Sequence, residues 1–129
     1  MAVGTATKTE ITSASVKQIK WAWTSGTAAA PAQDGGVTSA TTAVLNGIIE
    51  SVTQIPGSGG TQPTNAYDIT ITDSNSVDVI AGLGANLAND ATTYKTNKDG
   101  LGAVVNSALT LNVSNAGSAK TGTTIITLR

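Results

Sequence analysis

The residues able to do chemistry in this chain are mainly carboxylates, because it contains no histidine and no cysteine. Histidine is the commonest general acid–base group, and histidine and cysteine are the usual zinc ligands. The acidic residues are spread along the chain, mostly in turns or at polar strand positions: Glu10, Asp34, Glu50, Asp68, Asp73, Asp78, Asp90 and Asp99. Most carboxylates placed in this way are simply solvated, which argues against a catalytic pair. The sequence therefore predicts a protein that is not an enzyme and that uses no cofactor.

One stretch has part of the pattern of a calcium loop. Asp73 and Asn75 have the spacing of the first two EF-hand ligands, but Asp78 and Gly84 stand where that loop has its glycine and its glutamate. Two interpretations remain: a loop calcium ion held by Asp73, Asn75 and Asp78, or a turn whose side chains bond to their own backbone. The two departures favour the turn, so we predict no metal site.

Aromatic residues are few, and none is phenylalanine. Trp21, Trp23, Tyr67 and Tyr94 would form a sugar-stacking platform if they were exposed together. The alternative is that large aromatic side chains fill the core or a subunit interface, where tryptophan is enriched. We favour the second interpretation and take these four residues, with the C-terminal Arg129, as interface candidates.

Low charge excludes one class of partner. Charged residues make up 12% of the chain, the formal net charge is −1, and the basic residues are scattered singly. Nucleic-acid binding needs a cationic stripe that neutralises phosphates. Residues 1–10 lack the features of a signal peptide, and no apolar run is long enough to cross a bilayer. We therefore expect a soluble protein made in a cytoplasm, with neither nucleic acid nor membrane as a partner.

Composition and periodicity predict the fold class. The chain has 129 residues, the size of one domain, and it is rich in threonine, valine and isoleucine, with 14 glycines. We predict an all-β sandwich or barrel-like domain with antiparallel hairpins and long Gly/Thr-rich loops. Residues 1–15 are predicted to be an N-terminal arm or edge strand, and residues 16–129 a single β domain.

Local patterns predict several strands. Ile19, Trp21 and Trp23 alternate with polar or small residues, which is typical of a strand with both indoles on one face. Alternation followed by turn residues predicts a hairpin over 66–81 and a second over 109–129. A short strand is expected near Tyr94, and the stretch 25–36 is expected to be a loop.

Residues 41–55 carry conflicting signals. Val44, Leu45, Ile48, Ile49 and Val52 recur at helical spacing. Gly47 and the many β-branched residues oppose a helix. We favour a strand from about Val44 to Ile55, ended by Pro56-Gly57, and keep the helix as the alternative.

The stretch PTNAYDITITDSNSVDVIAGLGANL, residues 63–87, resembles a segment of small virion proteins of tailed bacteriophages. That segment runs Pro-Thr-x-x-Tyr-Asp-(Val/Ile)-Thr-(Leu/Ile)-Thr-Asp and continues into a short strand and a Gly-x-Gly-Ala-Asn turn. The matching residues are Pro63, Thr64, Tyr67, Asp68, Thr70, Thr72, Asp73, Asp78, Gly82, Gly84, Ala85 and Asn86. Residues 109–129 also resemble the C-terminal segment of these proteins, which often have glycine where this chain has Ser76.

The resemblance implies a role without catalytic residues. It implies a capsid decoration (cement) protein, a homotrimer located in the virion after assembly in the host cytoplasm, which binds the major capsid protein or other virion proteins and stabilises the head. A head–tail connector, tail or fibre-base protein is the alternative of the same class. A carbohydrate-binding module, based on the paired indoles, is the alternative of another class. Residues 1–15, 25–40 and 57–65 are the expected docking segments.

Overall fold

The structure is a computed structural model that describes residues 4–27 and 37–129. Within these ranges the chain forms strands and two short 3-10 turns, and no α-helix. The strands are β1 (Thr5–Ser13), β2 (Val16–Thr24), β3 (Val37–Thr41), β4 (Leu45–Pro56), β5 (Asp68–Thr72), β6 (Thr93–Thr96), β7 (Val104–Ser107), β8 (Thr110–Ser114) and β9 (Thr121–Leu128). No helix of the described residues is long and apolar enough to cross a membrane.

Two antiparallel sheets pack on one core, which confirms the all-β prediction. The larger sheet has the order β1-β2-β9-β4-β6, with β7 paired to β4 beyond the end of β6. The smaller sheet has the order β3-β8-β5. Buried side chains from the inner faces of both sheets form one hydrophobic cluster, as expected for a sandwich.

The period-two pattern of β2 is confirmed. Ile19, Trp21 and Trp23 are buried, and the residues between them are exposed. Strand β9 lies beside β2 and alternates in the same way, with Ile126 and Leu128 buried. Burial of one face is what fixes the register of such strands, because a shift of one residue would expose the whole apolar set.

Residues 41–55 contain a strand, β4, and not the alternative helix. The helical spacing has a local cause. Ile49 pairs with Leu128 whereas Ser51 pairs with Thr127, so one extra residue bulges out at Glu50. The bulge moves the inward-facing set by one position, and the buried residues of β4 are Leu45, Ile49, Val52 and Gln54.

The first predicted hairpin, over 66–81, forms in part, and the second, over 109–129, is wrong in its pairing. After β5 the chain returns along it, but Val77–Ile80 makes only one bridge, Thr72 to Asp78, and then continues into turns. Strands β8 and β9 exist as predicted, yet they lie in different sheets, with β8 between β3 and β5. Alternation of apolar and polar residues indicates that a segment is extended and buries one face. It does not indicate which strand lies beside it.

The N-terminal residues 5–13 form an edge strand, β1, that pairs with β2 along its whole length. The strand expected near Tyr94 is β6, and it is followed by a 3-10 turn, Asn97–Asp99, with a capping box between Thr96 and Asp99. Most of the predicted loop at 25–36, residues 28–36, lies outside the described residues.

Close packing between β2 and β9 depends on a glycine. A Cβ atom added to Gly122 would lie 2.7 Å from Cε2 of Trp23 and nearer still to Cζ2. The indole therefore occupies the space that any other residue at this position would fill. Trp23 packs in turn against Tyr67, with ring centroids 5.9 Å apart.

We expect Gly122→Ala to lower the free energy of unfolding by about 2–3 kcal/mol, because the indole or a strand must move to admit the methyl group. Gly60→Ala is the matched control, since nothing lies within 4 Å of a Cβ atom at Gly60. Urea unfolding followed by tryptophan fluorescence measures both. Equal stability of the two variants would contradict this account of Trp23.

Candidate interaction surface

The outer face of the larger sheet is the most extended regular surface that the described strands present. Side chains that alternate with the buried set point away from the core on all five strands of the main path. We define the outer face by these residues: Thr5, Thr7, Thr9, Ile11, Gln18, Lys20, Ala22, Thr24, Ser51, Thr53, Ile55, Tyr94, Thr96, Thr121, Thr123, Ile125 and Thr127.

Strand pairing arranges the outer face in rows. One row crosses five strands, from Thr9 through Lys20, Ile125 and Thr53 to Tyr94. Threonine is the commonest residue of the face, and a β-branched side chain on every second position stands upright on a pleated sheet. On β1 and β9 every position of the face is threonine or isoleucine, so these two strands present methyl and hydroxyl groups in a regular array, whereas β2 and β6 carry mixed side chains.

The outer face has almost no charge, since Lys20 is the one charged residue among those that define it. A hydroxyl group can donate one hydrogen bond and accept two, so it can adapt to either kind of partner atom. Strands about 4.8 Å apart and residue pairs rising about 6.8 Å give the face an area of roughly 500 Å². That is a large part of the ~800 Å² that one partner contributes to a standard protein interface.

An exposed apolar patch adjoins the outer face at one end. Ile48 of β4 and Val104 of β7 lie opposite each other, and 47% and 75% of their surfaces are exposed. A groove lined by Ile48 and Tyr94 leads from this patch toward β6. Neighbouring exposed apolar side chains are typical of protein interaction sites.

Three of the five interface candidates belong to the core of the chain itself. Trp21, Trp23 and Tyr67 are exposed by 2% or less. A sugar-stacking platform needs accessible rings, so the platform interpretation is wrong for these three residues. Their burial follows the preference of large aromatic side chains for the core of a chain without phenylalanine.

The other two candidates lie at the surface. Tyr94 is 61% exposed and ends the central row of the outer face. Arg129 extends β9 through two backbone hydrogen bonds with Ile48, and its Nε lies 3.6 Å from a carboxylate oxygen of Glu50. The bulge at Glu50 thus places an ion pair beside the apolar patch. The pair is largely exposed, so it contributes little to stability.

The acidic residues of the partial calcium motif act as acceptors for backbone N–H groups. Asp73 accepts from the amides of Asn75 and Val77 through Oδ1. Asp78 accepts from three amides, those of Ile71 and Ile80 through Oδ1 and that of Gly82 through Oδ2. The hydrogen-bonded turn is therefore confirmed. In the part of the chain that the structure describes, no cluster of three or more acidic residues is placed to hold a metal ion.

The comparisons with known proteins found no matching family model, no matching curated protein and no matching solved structure.

The sequence shows a threonine-rich chain with few charges but does not locate the outer face. The signal was present as runs of alternating threonine, Thr5-x-Thr7-x-Thr9 and Thr121-x-Thr123. The two runs lie far apart in sequence, and both meet on the same face only because β2 separates β1 from β9. The sequence places Ile55 in a strand but does not show that its side chain lies on the outer face.

Burial makes stability depend on pH through Tyr67, whose pKa is raised from 10.0 to about 12 by desolvation. The raised pKa means that the stabilisation is fully present below pH 10 and is lost as pH rises toward 12. Two pKa units correspond to about 2–3 kcal/mol. We expect the urea midpoint of the wild type to fall between pH 10 and pH 12. The midpoint of Tyr67→Phe should fall less steeply with pH. The midpoint of Tyr94→Phe, a change at an exposed site, should fall as steeply as that of the wild type. Identical slopes for the two variants would disprove the assignment.

Loss of the Asp78 carboxylate is expected to destabilise the turn. Asp78→Ala leaves three amides without their acceptor and should lower the free energy of unfolding by about 1–3 kcal/mol. Asp90→Ala, at an exposed position, is the control and should change it by less than about 0.5 kcal/mol. The measurement is urea unfolding with and without calcium. If calcium raised the wild-type urea midpoint and Asp78→Ala abolished that rise, the turn interpretation would be replaced by a calcium site.

Proposed function

We propose that this chain is a virion structural protein of a tailed phage, a capsid decoration protein that binds the outside of the head and stabilises it. The observation that carries the proposal is the outer face, a wide, regular and almost uncharged array of threonines on a sandwich with a single core. Such a face suits close, hydrogen-bonded docking against another folded protein. The resemblance of residues 63–87 to small virion proteins supplies the biological setting.

The fold suits a protein that works by adhesion. The face is carried by five hydrogen-bonded strands, so little conformational entropy is lost when it docks. Central positions are supported from below by fully buried side chains such as Trp21 and Ile126. A rigid body that binds neighbouring capsid subunits resists their separation, and several copies binding together gain avidity. The homotrimer that the resemblance implies would supply such copies.

The major capsid protein is the proposed partner, and the outer face is the proposed contact. Lys20, near the middle of the face, then needs an acceptor on the capsid, because burying an unpaired charge is costly. Tyr94 and the Ile48–Val104 patch lie at the rim nearest β6 and β7. Their exposed apolar area gives the contact an anchor beside the hydroxyl array.

The test is binding of purified protein to capsids that lack it. We expect Thr53→Arg combined with Thr123→Arg, both on the outer face, to weaken binding at least tenfold, or about 1.4 kcal/mol, because two guanidinium groups would be buried without partners. Thr70→Arg is the control for an added guanidinium group away from the outer face, since Thr70 is an exposed β5 residue of the smaller sheet. Co-sedimentation of each variant with capsids measures the affinity, and Tm measured in parallel shows that the folds are intact.

Two results would contradict the proposal. Equal loss of capsid binding by the outer-face variant and by Thr70→Arg would remove the outer face as the contact. Particles without the protein that resisted heat as well as complete particles would remove the stabilising role. A copy number matching one ring at the portal vertex, and not the whole lattice, would assign the chain to the connector instead.

A further inference from the structure

The outer edge of β1 is an unpaired strand edge. β1 is the terminal strand of the larger sheet, and within residues 4–27 and 37–129 no other strand pairs with its far side. It is nine residues long, and its residues from Thr9 to Ser13 are all exposed. Long exposed edges are sites where another extended chain can add to the sheet.

The hydrogen-bonding pattern shows which residues face that edge. Arg129 and Ile48 exchange two backbone hydrogen bonds, so the odd-numbered residues of β9 point at β4 and the even-numbered ones at β2. Continued across β2, the same alternation directs the odd-numbered residues of β1 toward β2. The N–H and C=O groups of Ala6, Lys8 and Glu10, together with those of Thr12, therefore point outward to the open edge.

Two opposite charges flank the middle of this edge. Lys8 and Glu10 lie on the side of β1 away from the outer face, with Lys8 Nζ 3.8 Å from Glu10 Oε1 and 3.3 Å from the carbonyl oxygen of Thr41 in β3. An inward-pointing charge on an edge strand normally discourages pairing, because the added strand must bring a compensating charge. Lys8 and Glu10 are placed symmetrically about Thr9, so a second copy of the same strand brings both compensating charges in one register.

We propose that β1 pairs antiparallel with β1 of a second copy, with a two-fold axis at Thr9. In this register Lys8 of each copy lies opposite Glu10 of the other, and all nine residues of both strands are paired. The residues that point their backbone groups at the open edge then form the hydrogen-bonded pairs. Ile11, 54% exposed in the single chain, comes to lie beside Thr7 of the second copy.

Neighbouring registers are disfavoured by the same charges. A shift that centres the pair on Lys8 places two lysines opposite each other, and one that centres it on Glu10 places two glutamates opposite each other. Like charges directly opposite across strands are destabilising. The charge pattern therefore selects one register and one symmetry, as expected for a self-complementary contact.

The pairing would make one continuous sheet from the larger sheets of two copies. Thr5, Thr7 and Thr9 of one copy would adjoin the same strand of the other, so the two outer faces would merge into one surface. This inference stands on β1 alone and does not depend on the capsid proposal; its two-fold contact joins two copies and so differs from the trimer that the resemblance implies. A failure of capsid binding leaves it untouched.

Charge reversal tests the contact. Sedimentation equilibrium should show a dimer for the wild type. Lys8→Glu and Glu10→Lys should each weaken dimerisation at least tenfold, because like charges then face each other. The two variants mixed in equal amounts should form a heterodimer, since a strand with two glutamates at these positions complements a strand with two lysines. The double reversal Lys8→Glu with Glu10→Lys should dimerise like the wild type.

A cysteine on the axis tests the register, because the natural chain has no cysteine. In Thr9→Cys the two thiols face each other and should form an intermolecular disulfide on mild oxidation. In Thr7→Cys they lie about four residues apart along the strands, roughly 13 Å, and should cross-link at least tenfold more slowly. Both positions lie on the outer face and are exposed, so the variants are matched in accessibility.

Three outcomes would overturn the proposal. The first is a wild-type protein that stays monomeric at millimolar concentration. The second is an oligomer, a trimer included, whose mass neither single reversal changes. The third is equal cross-linking rates for Thr9→Cys and Thr7→Cys. Unchanged Tm values for the reversal variants show that a lost dimer reflects the contact and not the fold.

Discussion

The packing between β2 and β9 is the contact on which the rest of the structure depends. β9 is the central strand of the larger sheet and pairs with β2 on one side and β4 on the other. Trp23 lies over Gly122 and reaches Tyr67, which immediately precedes β5 in the smaller sheet. The same few side chains thus join neighbouring strands within one sheet and join the two sheets to each other. A larger residue at Gly122 would disturb both connections at once.

The rigid interior explains the character of the surface. Because the inner faces of β2, β9 and β4 are buried, the alternate residues on each strand are forced outward in register. Threonine at these positions keeps high β-propensity while leaving hydroxyl groups accessible. The low charge of the chain then appears as a broad neutral face. A neutral face lacks the ionic groups whose desolvation is costly when they are removed from water.

Edges and irregular segments complete this organisation. The free side of β5 is covered by the segment after it, through hydrogen bonds such as Ile69 N–H to Gly84 C=O and Val79 N–H to Ile71 C=O. The Asp78 carboxylate accepts hydrogen bonds from the amides of Ile71 and Ile80, which carbonyl groups of a paired strand would accept in a regular sheet. The segment that follows β5 therefore does not need to form a full strand. The far edge of β1 is paired with no other strand among the described residues. The contrast between the two edges is what makes the charge pattern around Thr9 informative.

The sequence by itself determined the fold class, the face of β2 that is buried, the strand near Tyr94 and the turn at Asp73, because each depends on neighbours within a few residues. It did not determine which strands pair, since β8 and β9 are consecutive in sequence yet lie in different sheets, and alternation is the same whatever strand lies alongside. It left 41–55 open, because a bulge at Glu50 gives a strand the spacing of a helix. The sequence did not determine whether Trp21, Trp23 and Tyr67 lie at an interface or in the core. They lie in the core because the second sheet packs over them. The outer face and the open edge of β1 arise from strand order, and strand order is set by long-range packing that no local pattern records.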